Sequence, residues 1–177
     1  MLDPLYTPEL EAKVQTYEHI DKIRELLRLF ANELVARGET HDRSKLKPEE
    51  SRVFAEYTPR LKGSTYMSDE YKQFLKEMQP ALDHHYANNR HHPEHHSPKD
   101  PKAGIREMNL VDLLEMWIDW YASSMRHANG DMGKSIELNE TRFGMSPDLV
   151  AIFQNTLRDF KDGTLSVNKI PSEPGAG

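Results

Sequence analysis

The sequence predicts an all-α protein, on three observations. Apolar residues recur at three- and four-residue spacing through most of the chain, no stretch alternates with the period of two that marks a strand, and Pro and Gly fall at the ends of the periodic segments. The length of 177 residues suits one core. We expect a helical domain over residues 1–162 and a loosely ordered tail over 163–177.

The first helix is expected from Pro8 to about Arg37, where Leu10, Val14, Tyr17, Leu27, Phe30 and Leu34 keep helical spacing and Gly38 supplies a stop. His19 shares a stripe with Ile23, Leu26 and Phe30, so its ring is expected to point toward the interior or its margin. A second helix opens at Pro48, whose fixed φ suits a first turn, and runs to about Arg60. A third spans about Ser68 to Tyr86. Ser68 caps it, Asp69 and Glu70 complement its dipole, and Pro80 should kink or divide it.

Residues 88–104, with Pro93, Pro98 and Pro101, read as an irregular loop, long enough to suggest a function. The strongly apolar segment from Asn109 to about His127 is expected to be the central helix, with His127 structural. Ser146-Pro147-Asp148 opens a last helix that ends by Phe160.

Composition narrows the chemistry. The chain has no cysteine, which removes disulfides, thiolate nucleophiles and sulfur-ligated metals. A formal charge of -6 argues against broad nucleic-acid binding. The mean hydropathy is -0.78 and no apolar run approaches the roughly 18 residues of a membrane span. The N-terminus lacks the regions of a signal peptide, so a cytoplasmic setting is expected. The compositional outlier is histidine: of nine, six (His84, His85, His91, His92, His95 and His96) lie within thirteen residues.

Imidazoles with carboxylates suit a divalent transition metal, Mn, Fe, Co, Ni or Zn, with Mg also allowed; the ligand types do not choose among them. A His-rich loop that captures metal only adventitiously is the plain alternative. His41-Asp42 lies between Gly38 and Pro48, where both side chains can reach one cation or simply form a surface turn. Asp112, Glu115 and Asp119 share one helical stripe. They form either a solvated face or a set of acids compensated by a cation.

Two other motifs do not hold. His91-x-x-Glu94-His95 has the HxxEH spacing, but Pro93 would interrupt the helix that mechanism needs. Gly133-Lys134-Ser135 resembles the end of a phosphate-binding loop without its earlier glycine or preceding strand.

His19, His41-Asp42 and a later aspartate on an apolar helix follow the order H…HD…D. In that order and helical context the chain resembles the HD-domain superfamily of metal-dependent phosphohydrolases. His41-Asp42-Arg43-Ser44-Lys45 looks like its HDxGK variant with Ser44 for glycine, and His91-His92-Pro93-Glu94 is similar to the HHxE element of HD-GYP phosphodiesterases. The likeness, shared with small HD-like proteins of phages and bacteria, spans about residues 14–126.

The resemblance implies an HD-like bundle of about five to seven helices. It implies that His19, His41, Asp42 and Asp119 ligate the principal metal, with Asp112 as runner-up to Asp119, and that His85 and His92 hold a second ion. Asp42, Lys45 and Glu50 would serve catalysis, and Arg43, Lys45 and Arg90 would bind phosphate. The implied activity is hydrolysis of a nucleotide or related small phosphoester, with one or two ions. An HD-type di-iron oxygenase, or a non-catalytic metal- or nucleotide-binding protein, fits the same residues. A homo-oligomeric state stays open.

Overall fold

The structure, a computed structural model, describes residues 7–65, 68–126 and 130–165. The described residues are all-α, with nine α-helices, one 3-10 turn and no strand. The chain forms two compact units, Met1–His41 and Asp42–Gly177. His127 and residues 166–177 of the expected tail lie outside the described residues.

The first unit is built on α1, Pro8–Thr40. Thr7 accepts a hydrogen bond from the Leu10 amide at 3.2 Å, and Pro8 occupies the first turn, where its missing N–H costs nothing. Pairs such as Arg37–Glu33 at 2.9 Å line the helix, each adding a few tenths of a kcal/mol. The helix does not stop at Gly38. Glycine inside a helix costs only about 1 kcal/mol, and the chain turns instead at Asp42, which has φ 56° in the left-handed region. No residue of α1 is buried, so within this unit His19 has no interior to face.

The second unit begins with Asp42 and the 3-10 turn Arg43–Leu46, followed by α2, Pro48–Gly63. The expected third helix is divided near Pro80 into α3, Asp69–Glu77, and α4, Gln79–Asn88. Pro80 cannot donate within a continuing helix and begins a new one instead. The segment read as a loop contains two short helices, α5, Pro93–His96, and α6, Pro101–Glu107. Here the prolines open helices rather than exclude them.

The central helix α7, Leu110–Ser124, starts from a capping box: Asn109 Oδ1 accepts from the Val111 and Asp112 amides, and Asp112 Oδ2 accepts from the Asn109 amide. Helix α8, Met132–Phe143, had no counterpart in the sequence reading. Its buried positions Met132, Ile136, Asn139 and Phe143 follow 4-3-4 spacing, and Asp131 caps it by accepting from the Gly133 and Lys134 amides. The Gly133-Lys134-Ser135 tripeptide is thus the first turn of a helix. Helix α9, Pro147–Lys161, completes the unit.

Helices α6 to α9 share one apolar core that includes Ile105, Trp117, Ile136, Phe143 and Phe153. Each such side chain contributes about 1.5–3 kcal/mol by leaving water. Trp117 Nε1 donates to the Phe153 carbonyl at 3.3 Å. This core fixes α7, and with it one wall of the site. No described helix is long and apolar enough to cross a membrane.

Candidate metal centre

Three short stretches of the second unit bring four ligand residues to one point. Asp42 offers a carboxylate at the start of the 3-10 turn, α4 brings His85, and the residues leading into α5 bring His91 and His92. One ligand atom from each of these four lies within 4.8 Å of all the others. His85 Nε2 is 2.9 Å from His92 Nε2 and 3.3 Å from Asp42 Oδ1, and His91 Nε2 is 3.6 Å from the same oxygen. Two atoms each about 2.1 Å from one ion stand roughly 3.0 Å apart at a right angle and 3.4 Å apart at the tetrahedral angle. The observed separations bracket those values.

The orientation of two of the rings is enforced from behind. His85 Nδ1 lies 3.0 Å from Glu50 Oε2, and His91 Nδ1 lies 3.2 Å from Glu115 Oε1. A carboxylate only accepts, so each Nδ1 carries the proton and each Nε2 turns its lone pair toward Asp42. This is the outer-shell arrangement that orients histidine ligands in metal sites. Glu50 is fully buried on the first turn of α2. Its other oxygen takes His84 Nδ1 at 2.6 Å, while Ser44 Oγ donates to Oε2 at 3.0 Å. Asn89 donates to Ser44 Oγ at 2.8 Å and to the His85 carbonyl at 2.7 Å, closing the network.

Burial holds His85 below its ordinary pKa, aided by the Lys45 charge and opposed by Asp42 and Glu50. His92 is pushed well below the usual value, first by burial and then by the positive field of His91, His85, Lys45 and Arg142. Neutral imidazole is the ligand form, so burial prepares both rings for a cation. One carboxylate and three imidazoles, two of them braced by acids, fit a divalent transition metal.

Of the residues singled out in sequence, Asp42, His85 and His92 meet in this cluster. Asp119, on α7, offers an oxygen within 4.8 Å of one from Asp42. Asp112 is fully buried and engaged elsewhere: besides its capping role it accepts from Arg90 Nε at 3.3 Å and Nη2 at 3.1 Å. Arg90 is therefore an ion-pair partner of the α7 cap. Lys45 pairs with Asp42 Oδ2 and lies 5.0 Å above the Phe54 ring, and Arg43 is exposed on the 3-10 turn. His19 lies within α1, and His41 is the residue that ends the first unit.

Sequence reasoning did not single out Glu115 as a site residue, nor choose His91 over its neighbours. Glu115 shares the carboxylate stripe of Asp112 and Asp119, which was the available signal. Its role depends on His91 arriving from a different element.

A model of a family of unknown function, DUF5662, matches residues 9–159. The chain belongs to the DUF5662 family. Comparison with curated proteins and with solved structures gave no match. The DUF5662 match takes in every residue of the cluster and of its bracing network, along with α8 and most of α9.

Replacing Glu50 by Gln preserves shape but removes an anionic acceptor from two histidines. We expect metal affinity to fall about 10- to 100-fold, as loss of an outer-shell partner does elsewhere. Titration of metal into the apo variant measures this; wild-type affinity would mean that Glu50 does not govern the ring orientation.

Proposed function

We propose that this protein is a metal-dependent phosphohydrolase acting on a nucleotide or a related small phosphoester. The observation that carries the reading is the convergence of the braced His85 and His91 Nε2 atoms on Asp42 Oδ1, with His92 alongside. The H…HD…D order and the HHxE element support the phosphoester class by resemblance.

Asp42, His85, His91 and His92 would hold the ion, with Asp119 the proposed further ligand. A divalent cation there supplies a water acidic enough to attack near neutral pH and a charge that polarises a phosphoryl oxygen. Glu50 and Glu115 keep the proton on Nδ1 of their histidines throughout, so the ligand atoms do not alternate between donor and acceptor. Lys45, paired with Asp42 Oδ2, is the cation proposed to meet a bound phosphate. Arg43 is a second cation on the same turn. His19 and His41 enter this proposal only through the sequence resemblance. A small phosphate substrate and a cytoplasmic setting belong to the same proposal.

Tag-free protein analysed for metals, then assayed on nucleotides and phosphoesters with Mn, Co, Mg, Ni or Fe, tests it. Phosphate release that stops with chelator is the expected result. Metal-loaded protein that releases no phosphate from any substrate would overturn it. Two irons with dioxygen-dependent turnover would replace it by the oxygenase reading, and chelator-insensitive nucleotide binding without turnover by a binding function.

A further inference from the structure

We propose that His84 is a positioning residue for the metal centre: acting through Glu50, it sets the direction in which His85 presents its ligand nitrogen. The inference rests on the metal centre of the proposed hydrolase and not on its substrate. His84 and His85 are consecutive on α4, so their side chains leave the helix about 100° apart. Both rings nevertheless reach one carboxylate on α2. His84 Nδ1 lies 2.6 Å from Glu50 Oε1 and His85 Nδ1 lies 3.0 Å from Oε2. His84 is outside the cluster formed by Asp42, His85, His91 and His92, so its effect on an ion is indirect.

The donors to Glu50 are unevenly divided between its two oxygens. Oε2 takes two, His85 Nδ1 and Ser44 Oγ, and the Ser44 oxygen in turn accepts from Asn89 Nδ2 at 2.8 Å. Oε1 takes His84 alone among the described residues. Glu50 is fully buried, so solvent does not replace a missing donor. The terminal torsion of a glutamate is broad, and its carboxylate keeps one setting only where donors grip both ends. His84 supplies one end. Without it the group can turn, and the His85 ring bonded to Oε2 turns with it. The Nε2 carried by that ring stands 3.3 Å from Asp42 Oδ1. The His84 side chain is 33% exposed against 0% for Glu50, so it contributes a donor more than it contributes buried area.

The test titrates Co(II) into apo full-length protein by calorimetry, with the visible absorption of the loaded protein and circular dichroism recorded for each variant. His84→Ala should weaken Co binding about tenfold, the low end of the range for an outer-shell partner because His84 stands one layer further out. Its visible band should shift as the ligand geometry changes, at unchanged helicity. His84→Asn should bring both affinity and band back toward wild type, since its Nδ2–H falls near the place of the imidazole Nδ1–H. A merely structural role would not be restored by so small a side chain through its donor alone.

Co affinity of His84→Ala within about twofold of wild type would overturn the proposal, as would His84→Asn binding no better than His84→Ala. If His84→Ala does not fold, the comparison passes to His84→Leu, which fills space without a donor, and wild-type affinity there overturns it equally. Metal-loaded wild type that hydrolyses no phosphoester would remove the hydrolase and leave this inference standing. Phosphate release by a His84→Ala protein of wild-type Co affinity would do the reverse.

Discussion

Asp42→Asn is expected to give a folded protein that no longer retains a divalent ion. Asp42 holds a left-handed backbone conformation, φ 56° and ψ 11°. Asparagine is among the few residues that adopt this region readily, so the turn into the 3-10 segment survives the change. What disappears is the anionic charge on the oxygen 3.3 Å from His85 Nε2 and 3.6 Å from His91 Nε2. An amide oxygen is a much poorer partner for a transition metal than a carboxylate. The loss should exceed the ~10- to 100-fold typical of outer-shell changes. Lys45 loses its ion-pair partner as well. Elemental analysis of the purified variant, beside its thermal melt, checks both halves; full metal occupancy would move the centre away from Asp42.

Gly104→Ala is expected to damage the same centre without touching any ligand. A Cβ at Gly104 would stand 2.0 Å from the Pro93 carbonyl oxygen and 2.9 Å from its carbonyl carbon. The obstacle is backbone, which cannot rotate aside, and that carbonyl already accepts from the Ser97 amide to close the single turn of α5. Either α6 or α5 must move. Helix α6 is fixed to the core through Ile105, so the displacement falls on α5 and on His91 and His92 directly before it. Overpacking commonly costs 1–3 kcal/mol, and a rigid obstacle puts this case at about 3 kcal/mol or more. In a unit of this size that is a fall of roughly 10 °C in Tm. Metal retention should drop with it. A melt within about 2 °C of wild type would show that the two helices are not pressed together at this point.

The helices were legible where a periodic pattern met a local stop or start signal. Thr7-Pro8, Ser68-Asp69 and Ser146-Pro147 each open a helix close to where the residues indicate. Signals that depend on what lies across the core were less legible. Gly38 reads as a stop, yet a helix tolerates one glycine, and α1 continues to Thr40. Pro93 and Pro101 read as loop residues, but a proline at a first turn costs nothing, and the apolar partners of α6 lie on α7 to α9. Helix α8 carries its own 4-3-4 pattern, masked in sequence by polar residues between its buried positions.

At the site, residue chemistry was legible and the division of labour was not. The histidine cluster, the His41-Asp42 pair and the carboxylates of α7 all stand out from composition and spacing alone. Helical spacing alone cannot distinguish three acids on one stripe. Asp112 meets Arg90 and the α7 cap, Glu115 meets His91, and Asp119 comes within reach of Asp42.

By itself, then, the sequence determined an all-helical chain without thiols, with nitrogen and oxygen donors concentrated in three short segments. These properties follow from residue type and from periodicity along the chain. Only the tertiary structure decided which imidazoles turn toward Asp42, which carboxylates stand behind them, and that Glu94 grips an arginine from α8. Those pairings join residues up to 48 positions apart and depend on distances of about 3 Å between side chains of separate helices, which no local pattern encodes.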